Sequence, residues 1–192
     1  MRVSGVVAAA LVCILSVSRP ALGDAHLDLT AKVEPAARTL DVHAVITTRS
    51  AQLVFYLASN AVVESIGVDG ATAPASRSTL GSLTRYSIEL PGEDAESTAE
   101  VRYHASLETL DTSMTHDDTL AALPAMSSQA GAYLPGNSGW HPVLESPFSY
   151  RLNTSVPAGY VAVAPGRPPM RSRRRPTALR NSQWTCRSTA ST

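Results

Sequence analysis

The chain has 192 residues, 44 % of them hydrophobic, which is enough for one domain with a buried core. Its formal charge of zero is an average over unlike segments: residues 1–23 carry +2, residues 24–166 set sixteen acids against seven bases for −9, and residues 167–192 carry +7. Cys13 and Cys186 are the only cysteines, and Cys13 lies in a segment expected to be removed, so an intramolecular disulfide and a cysteine-based zinc site are excluded.

Residues 1–23 read as a secretory signal peptide. Arg2 gives the positive start, Val6 to Val17 is an apolar run too short to span a bilayer comfortably, and Ala21-Leu22-Gly23 offers small residues at a cleavage point. The protein is therefore expected to be exported, to a periplasm or to the medium.

From His26 the polarity has period two. Leu27, Leu29, Ala31 and Val33 share one face of a strand, and after a turn at Glu34 to Arg38 the residues Leu40, Val42, Ala44 and Ile46 share a face of the next. Gln52 to Ala58 is apolar on both faces, which predicts a central or doubly covered strand. Val62 to Val68 leads into the turn signal Asp69-Gly70, and a stretch rich in Ser, Thr and Ala runs to Ser82 without clear alternation. Tyr86, Ile88 and Leu90 alternate again, and beyond the turn at Pro91 to Asp94 so do Ala99, Val101, Tyr103, Ala105 and Leu107.

Residues 108–128 break the pattern, with a short helical turn expected at Asp118 to Leu123 before Pro124. Gly131 to Pro142 is a loop by composition, in which the large groups Tyr133, Leu134 and Trp140 are the expected structural anchors. Phe148 to Val156 is a strand, and Pro157-Ala158-Gly159 turns the chain into a further one at Tyr160 to Val163. The fold class is all-β, a sandwich of about eight or nine mostly antiparallel strands over residues 24–166.

Residues 167–192 hold seven Arg, no acid and little aliphatic material. A basic tail for nucleic acid or anionic surfaces and a disordered linker are two readings. An out-of-frame translation is the preferred third, since fifteen Arg to one Lys and 28 Ala are the usage of GC-rich coding DNA. Neither nucleic acid nor a membrane is an expected partner.

Several short segments now stand in a telling order: His26-Leu27-Asp28-Leu29, Glu34-Pro35, Phe55-Tyr56-Leu57, Val68-Asp69-Gly70, Tyr86 to Pro91, Val101 to Ala105, Tyr133-Leu134, Trp140-His141-Pro142 and Val156 to Tyr160. Together they resemble the N-terminal β domain of bacterial zinc metallopeptidases similar to aminopeptidase N. The resemblance implies a saddle-like β sandwich that walls one side of a peptide cleft and supports a separate thermolysin-like catalytic domain, its partner. Zinc is expected only in that missing domain, where two His of a His-Glu-x-x-His motif bind it. No such motif occurs among His26, His43, His104, His116 and His141, and the family's Gly-x-Met-Glu-Asn segment is also absent. The chain is thus expected to be non-catalytic as it stands, a truncated domain.

By the same resemblance, Gln129, followed by Ala130, is the one candidate contact for a peptide's free amine; a solvated loop glutamine is the plainer reading. His116-Asp117-Asp118 is read as a solvated loop, because neighbours on an extended chain point opposite ways. Glu93, Asp94 and Glu96 are read as a soluble turn with nothing apolar to raise a pKa. Ser138 lacks the Gly-x-Ser-x-Gly elbow of a nucleophile. No catalytic and no metal residue is assigned. A free-standing secreted β-sandwich binding module is the alternative function, its loops carrying the contacts.

Overall fold

A computed structural model describes residues 25–92, 95–110, 113, 123–166 and 180–187. The described residues contain no helix. They form fourteen strands in three sheets, most of the pairings antiparallel, so the all-β class read from the alternation is what the structure shows.

The first hairpin pairs β1 (Ala25–Glu34) with β2 (Thr39–Thr48) over ten residue pairs. Its turn closes with the Arg38 amide donating to the Pro35 carbonyl at 3.1 Å, and Arg38 takes a left-handed φ of 56°. Burial alternates along both strands, with Leu27, Leu29, Ala31 and Val33 of β1 facing Leu40, Val42, Ala44 and Ile46 of β2 on the core side. Period-two polarity alone fixes which face goes inward, because a one-residue slip would reverse every side chain.

Beyond the hairpin come β3 (Gln52–Ala58), β4 (Ala61–Val68), β5 (Ala71–Thr72), β6 (Ser76–Leu80), β7 (Leu83–Glu89) and β8 (Ser97–Ser106). β9 (Glu108–Thr109), β10 (Met126–Ser128), β11 (Gly131–Tyr133) and β12 (Val143–Leu144) are two or three residues each, and β13 (Phe148–Val156) and β14 (Arg180–Arg187) complete the set. A seven-stranded sheet runs β14-β13-β1-β2-β8-β4-β5; a four-stranded sheet runs β12-β3-β7-β6; a small third sheet runs β11-β10-β9. The parallel pair β1 and β13 joins strands more than a hundred residues apart.

One apolar core lies between the two larger sheets. Leu27, Leu40, Ala44, Ile46, Ala99 and Val101 come from the large sheet, and Phe55, Leu57, Tyr86 and Ile88 from the smaller. Phe55 and Tyr86 stack with ring centroids 5.2 Å apart. β3 is central in its sheet, between β12 and β7, as its two apolar faces suggest. Only one face is buried, however, while Val54, Tyr56 and Ala58 are half-buried.

Three local readings change. Residues 76–80, which show no alternation, form the wholly exposed edge strand β6, held by its ladder to β7 and not by burial. Residues 160–163, which do alternate, form no strand. The outer edge of β13 is taken instead by β14, in a region whose composition gave no reason to expect a strand; a backbone ladder needs no side-chain pattern. The proposed signal peptide, the cluster at 116–118, the turn at Glu93 and Asp94 and, but for Leu123, the helical turn at 118–123 lie outside the described residues.

Candidate functional site

Two places carry chemistry, one on each side of the large sheet. On the core side, an apolar cavity of about 1000 Å³ opens where the second layer is incomplete. Leu27, Leu29, Ala31 and Val33 of β1 and Leu152 and Val156 of β13 line it, and the loops at 130–148 and 159–165 wall it. The four-stranded sheet is three strands narrower than its partner, so over β13 and β1 only these loops form the second layer.

The loop that the sequence singles out forms one wall, and its anchors behave differently. Leu134 and Trp140 pack against the core, whereas Tyr133 is 42 % exposed at the rim. Gly139 holds the loop against the small sheet, its carbonyl accepting the Ala58 amide at 2.9 Å. The carbonyl of Trp140 accepts the buried Tyr103 hydroxyl at 2.9 Å, and burial pushes the Tyr103 phenol well above its usual range. The Trp140 indole N–H is buried with no acceptor among the described residues.

His141 retains some exposed surface, yet protein atoms crowd it on nearly every side. Trp140 meets it edge-on at 4.9 Å and Phe148 lies 6.4 Å away. This burial lowers its pKa, and the bond from Nδ1 to the Pro142 carbonyl at 3.0 Å offsets part of the effect. Gln129 is exposed in the turn between β10 and β11; its backbone carbonyl accepts the Tyr160 hydroxyl at 2.7 Å. Ser138 donates to the Pro135 carbonyl at 2.8 Å and so closes a turn.

On the outer side, the ladder between β1 and β13 sets His26 beside Ser149 and Asp28 beside Arg151. The Ser149 hydroxyl is 2.7 Å from His26 Nδ1, His26 Nε2 is 3.5 Å from Asp28, and Asp28 is 3.3 Å from Arg151. Serine, imidazole and carboxylate thus stand in the order of a nucleophile, its base and an orienting acid. Linear reading missed this, because the partners come from strands that only the parallel ladder brings together. An oxyanion hole is not available: β1 is paired on both sides, as is β13, so their N–H groups are spent on ladders. The arrangement is a polar surface ladder.

Zinc does not fit these residues. Among the described residues no group of three or more His, Cys, Asp or Glu comes together. His43 is paired with Glu100 at 3.2 Å and His104 with Glu64 at 3.0 Å, one carboxylate each, where a zinc site needs three or four converging ligands. Nor is any helix among the described residues long and apolar enough to cross a membrane.

No protein-family model matches the sequence, and no curated protein matches it. Solved structures do match the fold. A mutant of the M1 zinc metallopeptidase from Deinococcus radiodurans superposes with a TM-score of 0.61 at 17 % identity, over 87 % of this chain and 40 % of that one. The unmutated enzyme gives 0.59 at 19 % identity, over 88 % and 41 %. Legionella pneumophila aminopeptidase A gives 0.56 at 14 % identity, over 85 % and 20 %. The chain therefore spans less than half the length of these structures, and what it shares with them is a fold: that of the β portion of M1 zinc metallopeptidases which it overlays.

Proposed function

We propose that this chain is a non-catalytic β domain of an exported zinc-aminopeptidase-like protein, walling one side of a peptide cleft and supporting a separate zinc domain. The structural match carries the reading: nearly the whole chain overlays proteins named as M1 zinc metallopeptidases, yet it accounts for only two fifths of the Deinococcus chain. The sequence adds that its five histidines never form His-Glu-x-x-His. Peptide recognition and zinc chemistry then belong to the assembled protein, and Gln129 is the candidate amine contact in that context.

The test is to sequence the gene onward from the codons for Pro165 to Pro176 and translate all three frames. A downstream frame that resumes alternating strands and reaches His-Glu-x-x-His supports the reading; its absence sinks it. Independently, the purified chain supplied with zinc is expected to release no product from an aminoacyl p-nitroanilide. Chelator-sensitive release by the chain alone would overturn its non-catalytic assignment.

The cavity favours a second reading, a free-standing secreted binding module, since apolar pockets of this size hold small molecules in other proteins. An uninterrupted stop codon after Thr192 with no peptidase frame beyond it would favour that reading.

A further inference from the structure

The segment Tyr160 to Ala164 has the burial pattern of a strand and none of the pairing. Tyr160, Ala162 and Ala164 pack against the core, while Val161 and Val163 are 64 % and 84 % exposed. The segment starts from a turn closed by the Tyr160 amide on the Pro157 carbonyl at 3.2 Å. It ends where the Tyr150 hydroxyl donates to the Pro165 carbonyl at 2.9 Å, so it runs back across β13 as a wall of the cavity. Among the described residues no backbone hydrogen bond is made by Val161 to Ala164. A segment whose N–H and C=O groups have no backbone partner among the described residues, and whose outer face is apolar, is a template for another strand.

We propose that the partner is a second copy of this chain, paired antiparallel through Tyr160 to Ala164 about a two-fold axis at Ala162. The sequence is self-complementary in that register. Val161 of each copy falls opposite Val163 of the other on the outer face, and Tyr160 falls opposite Ala164 on the inner one. Residues 157–166 contain no charge, so like charges do not oppose the pairing. Pro157 and Pro165 bound the pairing segment, and a symmetric contact of this kind closes on itself as a dimer, not a fibre. The sheet edges among the described residues are less suited: β6 is polar and carries Arg77, β14 begins and ends on Arg180 and Arg187, and β5, β9, β11 and β12 have two or three residues each.

The experiment is sedimentation equilibrium on the purified full chain, with two sets of variants. The expected mass is twice that of the chain at micromolar concentration, falling to that of a monomer in the double variant Val161→Lys, Val163→Lys. Both positions are exposed in the single chain, so the circular dichroism spectrum should remain that of the folded protein. In a background of Cys13→Ser and Cys186→Ser, Val161→Cys combined with Val163→Cys is expected to give a disulfide-linked dimer on oxidation. Either cysteine alone should not, because residues two positions out of register lie about 7–8 Å apart, beyond comfortable disulfide reach. A monomer at all concentrations, a larger assembly, or a dimer that survives the two lysines would overturn the proposal.

Discussion

At Gly139 the fold has no room for a side chain. Its φ is +73°, and a Cβ there would stand 2.4 Å from the Ala58 amide nitrogen and 2.8 Å from the Leu57 carbonyl carbon. Gly70, with φ +84° in the β4–β5 turn, has nothing within 4 Å of the same atom. Gly139→Ala is therefore expected to destabilise the chain by about 2–4 kcal/mol, from left-handed strain plus overpacking. Gly70→Ala should cost only about 1 kcal/mol, from the strain alone. Urea unfolding of the two variants checks the ordering, and equal losses would refute the close approach.

His141 ties the stability of the chain to pH. Its folded pKa lies below the ordinary 6.5 because burial penalises the charged ring. Above that value both states are neutral and the residue adds no pH dependence. As pH falls through it, the unfolded chain takes up a proton that the folded chain refuses, so stability drops by up to about 1.4 kcal/mol per pH unit. The drop ends once pH passes below the folded pKa. His141→Gln should flatten that part of the stability profile between pH 6.5 and the folded pKa, read as the difference between two denaturation curves.

Among the elements, those with five or more residues and one apolar face were legible in advance. β1, β2, β8 and β13 each alternate strictly, and each lies within a residue or two of where its alternation puts it. β9 to β12 were not legible, because two or three residues are too few to show a period and their pairing is decided by neighbours distant in sequence. The residues 160–163 mark the opposite case, in which side-chain pattern is present and ladder absent. The cavity was also out of reach, since it exists only where two sheets of unequal width face each other. Tyr133 shows the same limit: its size argued for burial, and its place at the rim depends on that mismatch. A link from the large sheet tests how the loop is held. Tyr103→Phe removes the donor to the Trp140 carbonyl and is expected to cost about 1–2 kcal/mol, measured by thermal unfolding.

For the whole molecule, the cavity between the inner face of β1 and β13 and the loops that cover it sets the expected solution behaviour. A folded chain with an apolar cavity and exposed Tyr133, Val161 and Val163 should enhance the fluorescence of a hydrophobic dye well below its unfolding temperature. Dye binding that begins only with unfolding would show that the cavity is closed in solution.

The parallel ladder of β1 and β13 also puts a clock on the fold. β1 sits inside the seven-stranded sheet, but its second neighbour begins at Phe148, 123 residues after Ala25. During synthesis at about 5–20 residues per second, that edge of β1 stays open for roughly 6–25 seconds after the strand itself is made. Contacts so distant in sequence also slow the closing step once the whole chain is present. The first strand of this domain is thus among the last to be completed, and a chain cut short anywhere before Phe148 would be left with an open sheet edge at its centre.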